Sequence, residues 1–116
     1  MRRVLFLALV LLSACRPQTG EPLEAEVRFE PERPTVGRAA ILIRVDPGLE
    51  LTRVEVVGDM THAGMIPVED EAHPAGPGLW RVDAFDFNMR GDWVLTLTAY
   101  DKQGKKYTKE VRLTVP

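Results

Sequence analysis

Thiols and serine hydroxyls are almost missing from this 116-residue chain, which has one cysteine, Cys15, and one serine, Ser13. Both lie in the first fifteen residues. Everything from Arg16 onward therefore has no disulfide, no cysteine nucleophile and no serine nucleophile. A blue-copper electron-transfer centre needs a Cys thiolate and is excluded with them. After Leu12 no apolar run is long enough to span a bilayer. The chain also lacks a metalloprotease helix, a glycine loop opening a helix, an internal repeat and a low-complexity tract. Its threonines fall mostly within segments of strand-like alternation. An enzyme is not expected.

What is present begins with Arg2 and Arg3, followed by an unbroken apolar run from Val4 to Leu12. As a helix that run is about 13 Å long, under half of a bilayer's hydrocarbon core, so it reads as the core of a signal peptide. Leu12-Ser13-Ala14-Cys15 resembles the bacterial lipoprotein lipobox. The resemblance implies cleavage before Cys15 and acylation of its thiol, with residues 1–14 as signal peptide. Residues 15–24 then form the lipidated cysteine and a short polar tether, Arg16 to Leu23 holding two prolines and a glycine. The domain, residues 25–116, is expected in the cell envelope, anchored to a bacterial membrane and lying in the periplasm or outside the cell.

Charge excludes a further class. Loss of Arg2 and Arg3 leaves a mature balance of about −4 with both histidines neutral. Only Lys102, Lys105 and Lys106 bunch, around Gly104, as a solvated hairpin tip. No nucleic-acid partner is expected.

The hydrophobic pattern has a period of two almost throughout. Ala25, Val27 and Phe29 alternate with charged residues, and so do Val54 and Val56. Ile41, Ile43 and Val45 form a third set, Trp80, Val82 and Ala84 a fourth, leading on to Phe85 and Phe87. Trp93, Leu95, Leu97 and Ala99 precede an Asp101-Lys102-Gln103-Gly104 turn, and Val111, Leu113 and Val115 follow it. Such segments, with turn chemistry between them, predict an all-β fold, an immunoglobulin-like antiparallel β-sandwich of about seven strands. The predicted core is Ile41, Ile43, Val54, Val56, Trp80, Val82, Trp93, Leu95, Leu97, Val111 and Leu113. A one-residue slip would turn the charged face inward.

Two stretches fit strands badly and are predicted as loops, Gly58 to Pro67 and Phe85 to Trp93. They hold every methionine after Met1, namely Met60, Met65 and Met89, and His62 lies between the first two. Met60 and His62 are two apart and project to one face if the preceding strand continues. Gly64 lets the chain fold back to bring Met65 there. Thioethers are soft, neutral donors and imidazole is borderline, a set suited to Cu(I) and poorly suited to Mg²⁺, Ca²⁺ or Zn²⁺. Each methionine alone also fits a packing role, Met60 as a continuation of the Val54–Val56 face. His73, in the acidic Glu69-Asp70-Glu71-Ala72-His73-Pro74 segment, is a secondary candidate for a harder ion, set against a solvated turn.

With these residues assembled, positions 25–115 resemble the YtkA-like family of small exported β-sandwich proteins, discussed alongside FixH-type and CopC-type copper-handling proteins. Two segments carry the resemblance. One is the Met/His loop, Met60-Thr61-His62-Ala63-Gly64-Met65; the other is an aromatic-x-Met-x-Gly-x-Trp run, Phe87-Asn88-Met89-Arg90-Gly91-Asp92-Trp93. The loop matches in composition, whereas the family order is more often Met-Pro-x-Met followed by Gly-His. The resemblance implies a copper-handling accessory for oxidase assembly or copper tolerance, with Met60, His62, Met65 and Met89 as Cu(I) ligands. Its partner would be a copper-receiving membrane protein such as an oxidase subunit. The competing expectation is a metal-free immunoglobulin-like interaction module whose methionines form an apolar patch for a membrane protein.

Overall fold

Alternating apolar residues give one face of a strand to a shared core, and that pattern accounts for six of the seven long strands. The computed structural model describes residues 20–61 and 65–116. In chain order the strands are β1 (Glu21–Pro22), β2 (Ala25–Glu30), β3 (Gly37–Val45), β4 (Leu51–Met60), β5 (Val68–Gly76), β6 (Leu79–Phe87), β7 (Gly91–Asp101) and β8 (Lys106–Val115). No α-helix occurs among the described residues, only a 3-10 turn at Pro47–Leu49. The hydrogen-bonded order is β1-β8-β7-β4-β5-β6-β3-β2, one continuous sheet. The sheet curls so that its two halves face each other. Phe85 and Phe87 of β6 lie edge-on to Trp93 of β7, with ring centroids 6.3 and 5.3 Å apart, although β6 and β7 are not neighbours in the sheet.

Taken as seven main strands, β2-β3-β6-β5 against β8-β7-β4, this is the A-B-E-D and G-F-C arrangement of an immunoglobulin-type sandwich. All pairs are antiparallel except β1 with β8. Two ends follow from the registers. The starts of β3, β5 and β7 and the finishes of β2, β4, β6 and β8 make one end, called here the methionine end. The β7–β8 turn belongs to the other, the hairpin end.

Nine of the eleven predicted core residues are buried, from Ile41 to Leu97, while Val111 and Leu113 are half-buried and pack on that core. Phe85 and Phe87 are fully enclosed as well. The predicted inward turn of Ala84 does not occur; it is exposed. Between the pairs Ala39↔Phe85 and Ile41↔Val82, β6 advances one residue more than β3, and this bulge transfers the inward positions from even to odd numbers. The two predicted loops are also shorter than expected. Strand β4 runs to Met60, β6 to Phe87, and β7 begins at Gly91.

Gly58 explains the first difference, because it is a strand residue and not a turn. Its missing side chain leaves room for Phe85: a Cβ there would lie 2.6 Å from Phe85 Cζ and 3.0 Å from Leu95 Cδ2. The acidic segment expected as a solvated turn is β5. It pairs with β4 through Ala72 and with β6 from His73 onward, so it borders both halves. Within the stretch expected as tether, Leu23 is buried and its amide donates to the Thr108 carbonyl at 2.8 Å.

The β7–β8 turn is closed by Asp101, a buried carboxylate. Its Oδ1 accepts the amides of Gln103 and Lys105, both at 2.9 Å, and Oδ2 accepts the Tyr107 hydroxyl at 3.0 Å. Gly104, at φ +81°, provides the left-handed residue that completes the turn. Burial pushes the Asp101 carboxyl upward, but the Lys105 amide, the Tyr107 hydroxyl and the Gln103 amide together hold it below the ordinary value.

Two expectations follow from this packing. Leu95→Ala removes a fully buried side chain and is expected to cost about 2–5 kcal/mol, whereas Gly58→Ala overfills the space beneath Phe85 and costs about 1–3 kcal/mol. Urea unfolding of both variants checks the pair. Because the folded Asp101 pKa is depressed, its contribution is present above the unfolded carboxyl pKa and fades as pH falls through the folded value. The stability deficit of Asp101→Asn should accordingly shrink below about pH 4, as thermal melts across pH would show.

Candidate functional site

Strand parity sets the first of the candidate residues. Val54, Val56, Gly58 and Met60 all point inward from β4, so Met60 is buried, opposite Trp93 on β7. Its terminal methyl covers Gly91, where a Cβ would stand 2.5 Å from Met60 Cε. Gly91 has φ +135°, so both backbone conformation and space call for glycine there.

Trp93 organises the neighbouring turn. The indole Nε1–H donates to the Met89 carbonyl at 2.9 Å, fixing the Asn88–Arg90 connection between β6 and β7. The Met89 side chain is left open, 45 % exposed. On the other side of this turn the Asp92 carbonyl accepts the Thr61 amide at 3.2 Å, and Asp92 Oδ1 accepts the Thr114 hydroxyl at 2.7 Å. Phe87, Gly91, Asp92 and Trp93 of this segment thus have a packing or hydrogen-bonding explanation, whereas the side chains of Asn88, Met89 and Arg90 are exposed.

Met65 lies in the β4–β5 connection, half-buried against the core. Met60, Met65 and Met89 therefore all sit at the methionine end, on the finish of β4, before the start of β5 and before the start of β7. They differ in access, from enclosed Met60 through Met65 to open Met89. His62 lies outside the described residues, between Thr61 and Met65, and so does Cys15.

His73 is placed elsewhere. It is exposed on β5, paired across to Arg81 of β6. Its Nε2 meets Asp83 Oδ2 at 3.1 Å and its Nδ1 meets the Pro74 carbonyl at 3.3 Å. Both partners are acceptors, so both contacts are hydrogen bonds only when the ring is doubly protonated. The Asp83 bond, then the Pro74 bond, raises the His73 pKa above 6.5. The His73 bond and the Arg81 bond, the latter 3.0 Å from Nε to Oδ1, in turn lower that of Asp83. Glu71 is engaged by Arg53 at 3.5 Å instead of turning toward His73. Among the described residues no three His, Cys, Asp or Glu side chains come together as a metal site.

Apart from Met89, the methionine end has exposed apolar features that the sequence did not single out. Val36, Ile66 and Met89 are the exposed large hydrophobic residues of the described structure, and all three lie at this end, with Ile66 83 % exposed. At the same end an open hollow of about 350 Å³ has Phe29, Pro34, Leu113 and Pro116 in its lining, with Glu32, Arg33 and Thr114. Their only signal in the sequence is a scatter of isolated apolar residues among prolines and charges, with no period to connect them.

Neither a family model nor a curated protein sequence matches this chain. Among solved structures it is similar to the PmoD soluble domain from Methylocystis sp. ATCC 49242 (Rockwell), with a TM-score of 0.53 and 16% sequence identity. The match covers 72% of this chain and 75% of that one. At this identity the likeness is one of fold, a small β-rich domain. The resemblance to the YtkA-like family rests on the two short segments around Met60–Met65 and Phe87–Trp93.

The His73–Asp83 contact yields a direct test. Its raised pKa means that the pair contributes fully below about pH 6.5 and is lost as pH rises through the folded value. Asp83→Asn should bring the His73 titration down toward its ordinary value, followed through the imidazole proton resonances.

Proposed function

We propose that this chain is an exported, lipid-anchored accessory protein that holds one Cu(I) ion at the methionine end of its sandwich. The carrying observation is that the segments bearing Met60, Met65 and Met89 meet at a single end of the fold, with His62 in the same connection as Met65. In this reading Met65, Met89 and His62 reach the ion from the surface, and Met60 closes the site from the core side. YtkA-like membership, with service to cytochrome oxidase assembly or copper tolerance, belongs to the same proposal. So does delivery to a copper-receiving membrane protein such as an oxidase subunit. No catalytic role is assigned.

The donor set decides the choice of ion. Two or three neutral thioethers and one imidazole bring little charge to offset the desolvation of a divalent cation, but they match the softness of Cu(I). Imidazole binds a metal only as the neutral base, so affinity should weaken as acid protonates His62. A second reading has its own support. Val36, Ile66 and Met89 form exposed apolar surface at the same end, as a metal-free interaction module would use.

Titration of residues 16–116 with Cu(I) and Zn²⁺ separates the two. About one Cu(I) should bind, with little affinity for Zn²⁺. Met65→Leu, Met89→Leu and His62→Ala should each weaken Cu(I) binding about tenfold or more, equivalent to about 1.4 kcal/mol, with little change in thermal stability. Equal affinity in wild type, His62→Ala and Met65→Leu would remove the copper reading and leave the interaction module. Fractionation completes the picture: Cys15→Ser should leave the membrane fraction.

A further inference from the structure

The chain enters the sandwich at the end opposite its methionines. Glu21 and Pro22 pair in parallel with Tyr107 and Thr108 at the start of β8, just after the β7–β8 turn. Gly20 packs against the backbone there, so closely that a Cβ would lie 2.5 Å from the Lys106 carbonyl oxygen. Leu23 is buried immediately afterwards, with its amide bonded to Thr108. The point of entry is therefore fixed by packing, by hydrogen bonds and by a glycine that permits close approach.

From Tyr107, beside that point, β8 runs to Val115, which pairs with Gly91 at the methionine end. Eight residues of strand cover about 27 Å. In the sequence only four residues separate Gly20 from Cys15, and the five residue-to-residue steps between them reach at most about 18 Å in any conformation. A domain tied at Cys15 to a bilayer cannot invert to stand on its methionine end, because its point of entry would then lie beyond the reach of the tether.

We infer that the membrane anchor holds the hairpin end toward the lipid and presents the methionine end away from it, to an extramembrane domain of a partner protein. This inference rests on the proposed anchor at Cys15 and deepens the proposed copper exchange by stating where it happens. The exchange takes place above the bilayer, and the acceptor is a protein surface that projects from the membrane. The exposed Ile66, Val36 and Met89 and the hollow at the same end supply the apolar contact area for such a surface.

Orientation on vesicles tests this without copper. The mature chain is coupled through Cys15 to a maleimide lipid in phosphatidylcholine vesicles that also carry an acceptor-dye lipid. A donor dye is attached through a bio-orthogonal residue at Gln103 (hairpin end) or at Ile66 (methionine end). Energy transfer to the membrane should be several-fold stronger from position 103 than from position 66. Equal transfer, or stronger transfer from 66, would overturn the inference and place the methionines at the lipid surface. A Gly-Ser insertion of about ten residues between Thr19 and Gly20 lengthens the reach past the domain. It should narrow the difference, and an undiminished difference would overturn the tether as its cause. Chemical coupling makes the outcome independent of lipidation in the host, which the fractionation of Cys15→Ser reads separately. Cu(I) titration likewise reads the copper proposal by itself.

Discussion

The indole of Trp93 is the fixed point of the structure. Its ring is fully buried between the halves of the curled sheet, edge-on to Phe85 and Phe87, while its one polar atom reaches out to the Met89 carbonyl. Burying an indole is favourable only when its N–H finds a partner, and here the partner is the turn that carries an exposed methionine. Core packing and surface presentation thus share one side chain. The Met60 methyl over Gly91 extends the same arrangement, joining β4 to the start of β7.

Where one face of a strand is apolar and the other charged, the fold was legible. The alternation through Ile41–Val45, Val54–Val56 and Trp93–Ala99 placed the core correctly. It failed at Asp83–Ala84, since a bulge depends on the partner strand's count and leaves no mark in local periodicity. It failed again at β5, which lies half along each layer and buries only Ala72, so no hydrophobic stripe announces it. Gly58 was misread for a related reason. A glycine that makes room for a ring from another strand looks, in sequence, like a glycine that turns the chain.

The candidate site divides along the same line. Parity along β4 correctly anticipated the inward direction of Met60. The meeting of Met60, Met65 and Met89 at one end came from strand order, which spacing within single segments does not encode. His73 shows the converse. Its acidic neighbours in sequence point to one chemistry, but β5 changes partner between them: Glu71 lies against β4, where Arg53 engages it, and His73 lies against β6, which brings Asp83 to the imidazole. Residues two apart share a face of the strand, yet a change of partner strand between them gives each different neighbours, so composition overstates how many donors converge.

Strand β5 has one more consequence. By pairing first with β4 and then with β6 it covers part of a border of each half, which leaves β2 and β8 as the long strands at the two margins of the described sheet. Of these, β2 has Glu26, Arg28 and Glu30 exposed. The other, β8, is shielded at its start by two residues of β1, the second of them a proline with no amide to offer. Unpaired borders that are long and apolar invite one molecule to add its strands to the next; charge and proline discourage it. Crowded copies of the domain accordingly meet at these two margins with charge and proline set against edge-to-edge joining.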